Sequence, residues 1–161
     1  MIQRLQTVYL GMIVVILVLL CTMEIIDYMP VVTDGTGLQY KLNLFYFNKF
    51  EKGVLVESKL QIGLIILTSI AIGLSSFVIG MFKDRKKQIK FAWINMGVLV
   101  ALVVAFLVKA MLYIGDFQSE NMRLLSIIGL SILFFTLYLN LRSIMLIKRD
   151  EELVRSADRI R

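Results

Sequence analysis

Four runs of apolar residues, each close to the length needed to span a lipid bilayer, constrain this chain more than any other feature. A helix rises about 1.5 Å per residue, so about 20 apolar residues cross a hydrocarbon core of about 30 Å. The runs cover about residues 8–26, 62–82, 92–114 and 124–147. Each is apolar nearly all round, unlike the one-sided stripe of a soluble surface helix. Composition agrees, with 58% hydrophobic and 19% charged residues against about 45–50% apolar and about 25% charged in soluble domains. A water-soluble core made of four such runs would need far more polar sequence to cover it. The expected fold is therefore an all-α membrane protein, a four-transmembrane-helix bundle formed as a single domain over residues 1–161. The first run reads as a retained helix rather than a cleaved signal. Thr22, Met23, Glu24, Ile25 and Ile26 follow Cys21 with no small-x-small cleavage pattern.

Lysine and arginine placement orients the bundle. Twelve basic residues fall on one side: Arg4, then Lys83, Arg85, Lys86, Lys87 and Lys90, then Arg142, Lys148, Arg149, Arg155, Arg159 and Arg161. Five fall on the other: Lys41, Lys49, Lys52, Lys59 and Arg123. The positive-inside rule places the richer side in the cytoplasm. Both termini, the 83–91 loop and the 148–161 tail are then cytoplasmic, and the 27–61 loop faces outward. The net charge of +6 thus serves orientation, and no nucleic-acid partner is expected.

The same composition removes whole classes of chemistry. With no histidine there is no Ser-His-Asp triad, no His-liganded zinc or haem and no histidine proton shuttle. The single cysteine, Cys21, cannot form an internal disulfide or a CxxC site and reads as a small packed hydrophobe. The nine methionines are scattered and read as packing filler. No cofactor, metal or catalytic residue is expected, and the chain is read as non-enzymatic.

Outside the four runs, the 27–61 loop is rich in aromatics. After Asp34-Gly35-Thr36-Gly37 come LQYKLNLFYF, then NKFEKG, then VLVESK. Two β-prone stretches around a polar turn containing glycine predict a short hairpin. A lone hairpin is marginal in water, so it should rest on the helix ends, with Tyr40, Phe45, Tyr46, Phe47 and Phe50 near the headgroups. It serves as a lid that seals the bundle or as an external docking cap. The tail continues the fourth span as a helix, with Glu151 and Arg155, and Arg155 and Arg159, four apart and Asp158 between the arginines. Leu153, Val154, Ala157 and Ile160 share one side. Such a helix can dock on a partner or lie on the membrane. It can also simply extend into solvent with weak local ion pairs.

Charged residues within spans are functional hypotheses by default. Glu24 and Lys109 both fall about 26 Å from the inner surface at about 1.5 Å per residue. They form a candidate intramembrane pair, for transport, for structure, or as two side chains that snorkel outward separately. Asn95, Asn140 and Arg142 form a candidate inner polar cluster: the amides should bond neighbouring helices and Arg142 should reach the headgroups. Small residues recur at Ser69, Gly73, Ser76 and Gly80, and at Gly97, Ala101 and Ala105. They allow close helix contact, within the monomer or between copies.

The opening MIQRLQTVYL, the loop MFKDRKKQIKFAWIN and the ending RSIMLIKRDEELVRSADRIR resemble a Bacteroidetes-type family of short four-span inner-membrane proteins known as a domain of unknown function. The resemblance runs the length of the chain and is strongest in those three segments. It implies a bacterial inner-membrane protein of this topology and supplies no activity. All three segments lie on the cytoplasmic side derived above, which makes that face the candidate for a protein partner. The expected role is an accessory or scaffolding subunit of a larger membrane assembly. The alternative is a small oligomeric transporter or channel using Glu24 and Lys109, and a lipid-acting enzyme ranks last.

Overall fold

The computed structural model describes residues 2–29, 37–82, 84–114 and 124–159. In chain order the elements are α1 (Ile2–Thr22), β1 (Ile26–Tyr28), β2 (Leu38–Leu42), β3 (Tyr46–Glu51), β4 (Val54–Leu60), α2 (Ile62–Gly80), α3 (Arg85–Ile114) and α4 (Leu124–Arg159). All four helices are long and apolar enough to cross a membrane, which suggests a multi-pass membrane protein. Each buries residues at spacings of three and four. In α1 these are Leu10, Ile13, Leu17 and Leu20; in α3 they are Ala92, Asn95, Leu99, Leu102, Phe106 and Ala110. That spacing keeps one seam facing neighbouring helices along their length. The helices form a ring in chain order, α1 packing on α2 and α4, and α3 packing on the same two. Their outward faces are also apolar: Val15, Ile66, Val104 and Met111 are each more than half exposed. Helices apolar both inside and out are matched to lipid rather than water.

At the end where α1 and α3 terminate sits an antiparallel sheet in the order β1-β2-β3-β4. Ile26, Leu42 and Phe47 pair across three strands in one row and are all buried. Phe47 stacks on Tyr113 of α3 with ring centroids 4.2 Å apart. Tyr40 and Tyr28 continue the aromatic row at 6.0 and 6.5 Å. The chain turns from β2 to β3 because the Asn43 side-chain oxygen accepts the N–H groups of Phe45 and Tyr46, an Asx turn. It turns from β3 to β4 through Lys52 and Gly53, at φ 50° and 79°. This is a two-residue hairpin connection that needs positive φ at both positions.

The structure changes several expected boundaries. The 27–61 loop holds four strands rather than one hairpin. Asn43 divides LQYKLNLFYF into β2 and β3, and most of NKFEKG is strand, with only Lys52-Gly53 as turn. The expected turn at Asp34 to Thr36 lies outside the described residues, as does the 115–123 connection. The first helix ends at Thr22, not at 26. The Thr22 hydroxyl bonds back to the Leu19 carbonyl at 2.9 Å, and β-branched Ile25 and Ile26 lead into β1, where such residues pack well. Most of the basic segment expected as a loop over 83–91 is helix, because α3 begins at Arg85. Asp84 starts it, its carbonyl accepting the Gln88 N–H at 2.9 Å. The tail is helical to Arg159 as part of α4.

Sheet and bundle are closely fitted. A Cβ at Gly129 of α4 would lie 2.8 Å from the Ile25 carbonyl oxygen, so only glycine lets α4 approach the chain entering β1. One turn earlier, the Ser126 hydroxyl accepts the Asp27 N–H at 2.7 Å and donates to the Asp27 carbonyl at 3.0 Å. That side chain completes the outer edge of β1 as a neighbouring strand would.

Candidate functional site

At the end opposite the sheet, α4 runs on beyond its apolar stretch and lies beside the start of α3. The Arg85 guanidinium donates to the Asp150 carbonyl at 2.8 Å and sits 3.7 Å from its carboxylate, which ties the two helices together. Between them opens a cleft of about 810 Å³, with Asp84, Arg85 and Lys86 on one side and Glu151, Val154 and Arg155 on the other. The Lys87 ammonium, 2.9 Å from Asp84, holds that carboxyl below the usual carboxylate range, chiefly through its hydrogen bond. Three cations, two carboxylates and the apolar side chains of Phe82 and Val154 in one cleft suit a polypeptide segment better than a small ion, since peptides present both charge and apolar surface. Of the predicted tail residues, Glu151, Val154 and Arg155 line this cleft, and Leu153 is exposed beside it. Ala157, Asp158 and Arg159 continue the helix, and Ile160 lies outside the described residues.

Deeper in the same half of the bundle is a seam of buried neutral polar groups. Asn95 and Asn140, both fully buried, are brought together: the Asn95 amide donates to the Asn140 side-chain oxygen at 3.2 Å and to Ser75 at 3.0 Å. Asn140 donates to the Ala92 carbonyl at 3.1 Å. Arg142 is exposed and stands apart from this cluster. The Gln88 amide donates to the Val78 carbonyl at 3.0 Å, which also accepts the Met81 N–H at 3.3 Å at the end of α2. The side-chain oxygens of Gln6, Gln88, Asn95 and Ser143 are buried with acceptor capacity unused. These groups can orient and hold helices together, and none of them titrates near neutral pH.

Glu24 and Lys109 are not joined. Because α1 ends at Thr22, Glu24 lies in the connection to β1, where its carboxylate meets Lys41 of β2 at 2.8 Å. Lys109 stays on α3 with its ammonium 5.6 Å from the Tyr113 ring centroid, within cation–π range. Tyr113 also accepts a hydrogen bond from Gln61 at 3.1 Å, so it gathers α3, β3 and the start of α2. Among the described residues, no three His, Cys, Asp or Glu side chains group closely enough to hold a metal ion.

Several structural contacts were not singled out from sequence. Gln88 and Ser75 fall on the three-and-four spacing of the buried seams, and that signal could have found them. Ser126, Gly129 and the Arg85–Asp150 tie depend on long-range pairing and leave no local pattern.

The comparisons with known proteins agree with the whole-chain resemblance. The family model described as Domain of unknown function (DUF4293) matches residues 2–160, and the chain belongs to that family. No curated protein matches it.

Proposed function

We propose that this member of the DUF4293 family is a multi-pass protein of the bacterial inner membrane with both termini in the cytoplasm. In this reading it has no chemistry of its own and serves as an accessory or scaffolding subunit, docking a protein partner at its cytoplasmic end. The cleft between α3 and the α4 extension carries this reading. It combines accessible charge of both signs with Val154 and Phe82, which are 45% and 54% exposed, and its α4 wall is already braced by Arg85 and Asp150. A braced helix loses little conformational entropy on binding. The orientation is supported by the twelve-to-five distribution of basic residues. A transport role for Glu24 and Lys109 has less support, since Glu24 is engaged by Lys41.

The test is removal of Glu151 to Arg161, which leaves Asp150 on Arg85. Wild-type and shortened chains are purified from their native membrane in mild detergent, and stoichiometric companions are identified by mass spectrometry. A companion present with the wild type and lost with the shortened chain is the expected result. The proposal is abandoned if wild type purifies without a companion or if the shortened chain retains it.

A further inference from the structure

Among the described residues the two edges of the sheet are finished differently, and the open one points to a second copy of this chain. At the β1 edge, Ser126 of α4 occupies both the N–H and the carbonyl of Asp27. At the other edge stands β4, seven residues long, outermost in the sheet order. Val54, Leu55, Val56 and Leu60 are each more than half exposed. Natural proteins blunt such edges with charge, bulges or covering elements, because an open edge recruits another strand. The bulge here lies opposite Lys49 and Phe50, near the hairpin, and leaves Glu57 to Leu60 regular. The one lysine, Lys59, is neutralised by Glu57 at 2.8 Å.

The phase of the ladder shows which groups face outward. Gln61 donates its N–H to the Phe45 carbonyl at 2.7 Å, and the register pairs Phe47 with Lys59 and Lys49 with Glu57. In an antiparallel ladder alternate residues point their peptide groups to the same side. Residues 57, 59 and 61 therefore turn theirs towards β3, and Ser58 and Leu60 turn theirs to the open edge. An antiparallel copy of β4 centred on Ser58 sets the outward N–H and carbonyl of Ser58 against the same groups of the second copy. It also sets Glu57 opposite Lys59 of the second copy, and Lys59 opposite Glu57 of the second copy. The strand is thus complementary to itself in charge as well as hydrogen bonding.

The axis of such a pair stands perpendicular to the sheet. Phe47 lies on Tyr113 at the end of α3, and both copies insert in one direction when that axis follows the bundle. Directly after β4, α2 carries Ser69, Gly73, Ser76 and Gly80 on its exposed face. A Cβ at Gly73 or Gly80 would meet nothing within 4 Å, so packing within one chain does not call for glycine there. A second α2 could approach that face closely.

We propose that the protein forms a two-fold dimer through antiparallel pairing of β4 with β4, in register at Ser58. The test uses the full chain in its membrane, with Cys21→Ser removing the native thiol and Ser58→Cys placed at the axis. A short bismaleimide should convert the chain to a species of twice its mass. Glu57→Lys or Lys59→Glu alone puts like charges opposite each other twice and should lower that yield by about fivefold or more. The combined Glu57→Lys/Lys59→Glu chain should restore it, which also shows that the variants fold. Three results would overturn the proposal. One is a Ser58→Cys thiol that reacts with a monofunctional maleimide but gives no dimer. Another is a cross-link to a different protein, which would make a foreign strand the occupant. The last is a dimer yield indifferent to the charge reversals, which would mean chance collision.

Discussion

The two ends of the bundle are held together by different means. At the sheet end hydrogen bonds such as those of Ser126 to Asp27 stand beside tight steric fits: Phe47 lies flat on Tyr113, and Gly129 admits the Ile25 backbone to a distance no side chain would allow. At the opposite end the contacts are polar and only partly used, with Asn95, Asn140 and Ser75 in one network. Gln6, Gln88 and Ser143 keep oxygens in reserve. Steric fits tolerate little change, because close-packed interiors feel each lost or added methylene. Amide networks can exchange partners. The comparison teaches that the sheet end should behave as a fixed cap, while the far end, where partner docking is proposed, can adjust its helices.

The largest expected effect tests the cap. Phe47→Ala should destabilise the protein by about 3–5 kcal/mol, the usual cost of emptying a buried aromatic site, read as a lowered unfolding midpoint in detergent. Asn140→Leu should cost less, about 0.6–1.7 kcal/mol, because hydrogen bonds between helices in membranes are individually modest. If Asn140→Leu proves the more damaging in the same assay, the contrast between the two ends is reversed. The smallest effect concerns Asp84. Its folded carboxyl is held below the ordinary value, first by the Lys87 hydrogen bond, so its contribution is present above the ordinary carboxylate pKa and disappears as pH falls through the lowered folded value. Wild type and Asp84→Asn should therefore differ slightly at neutral pH and converge in acid. A difference that widens in acid would contradict this sign.

The length of the apolar runs made the four helices legible, because a long apolar run has few other physical solutions. That signal was weaker at their ends. The stretch from Met23 to Ile26 reads like a helix terminus, and only the pairing of Ile26 with Leu42 shows that β1 begins at its end. Asn95 and Asn140 stood out as amides in apolar runs, and they do meet. Glu24 also stood out, but its partner Lys41 was hidden because the fold of the intervening loop, not helix depth, decides what Glu24 reaches. The tail was visible as an amphipathic pattern, whereas the cleft it forms required knowing that Arg85 lies beside Asp150.

The Ser126–Asp27 contact has a consequence for the order of synthesis. The residue that closes β1 is made 99 positions after the strand it closes. At about 5–20 residues per second the growing chain carries that edge unfinished for roughly 5 to 20 s. Through this interval β1 to β4 can already have formed with both borders open, and only arrival of the last helix brings Ser126 and Gly129 to their places. Completion of the sheet therefore waits on the fourth helix, and a product stopped before Leu124 keeps two sticky borders where the finished protein keeps one.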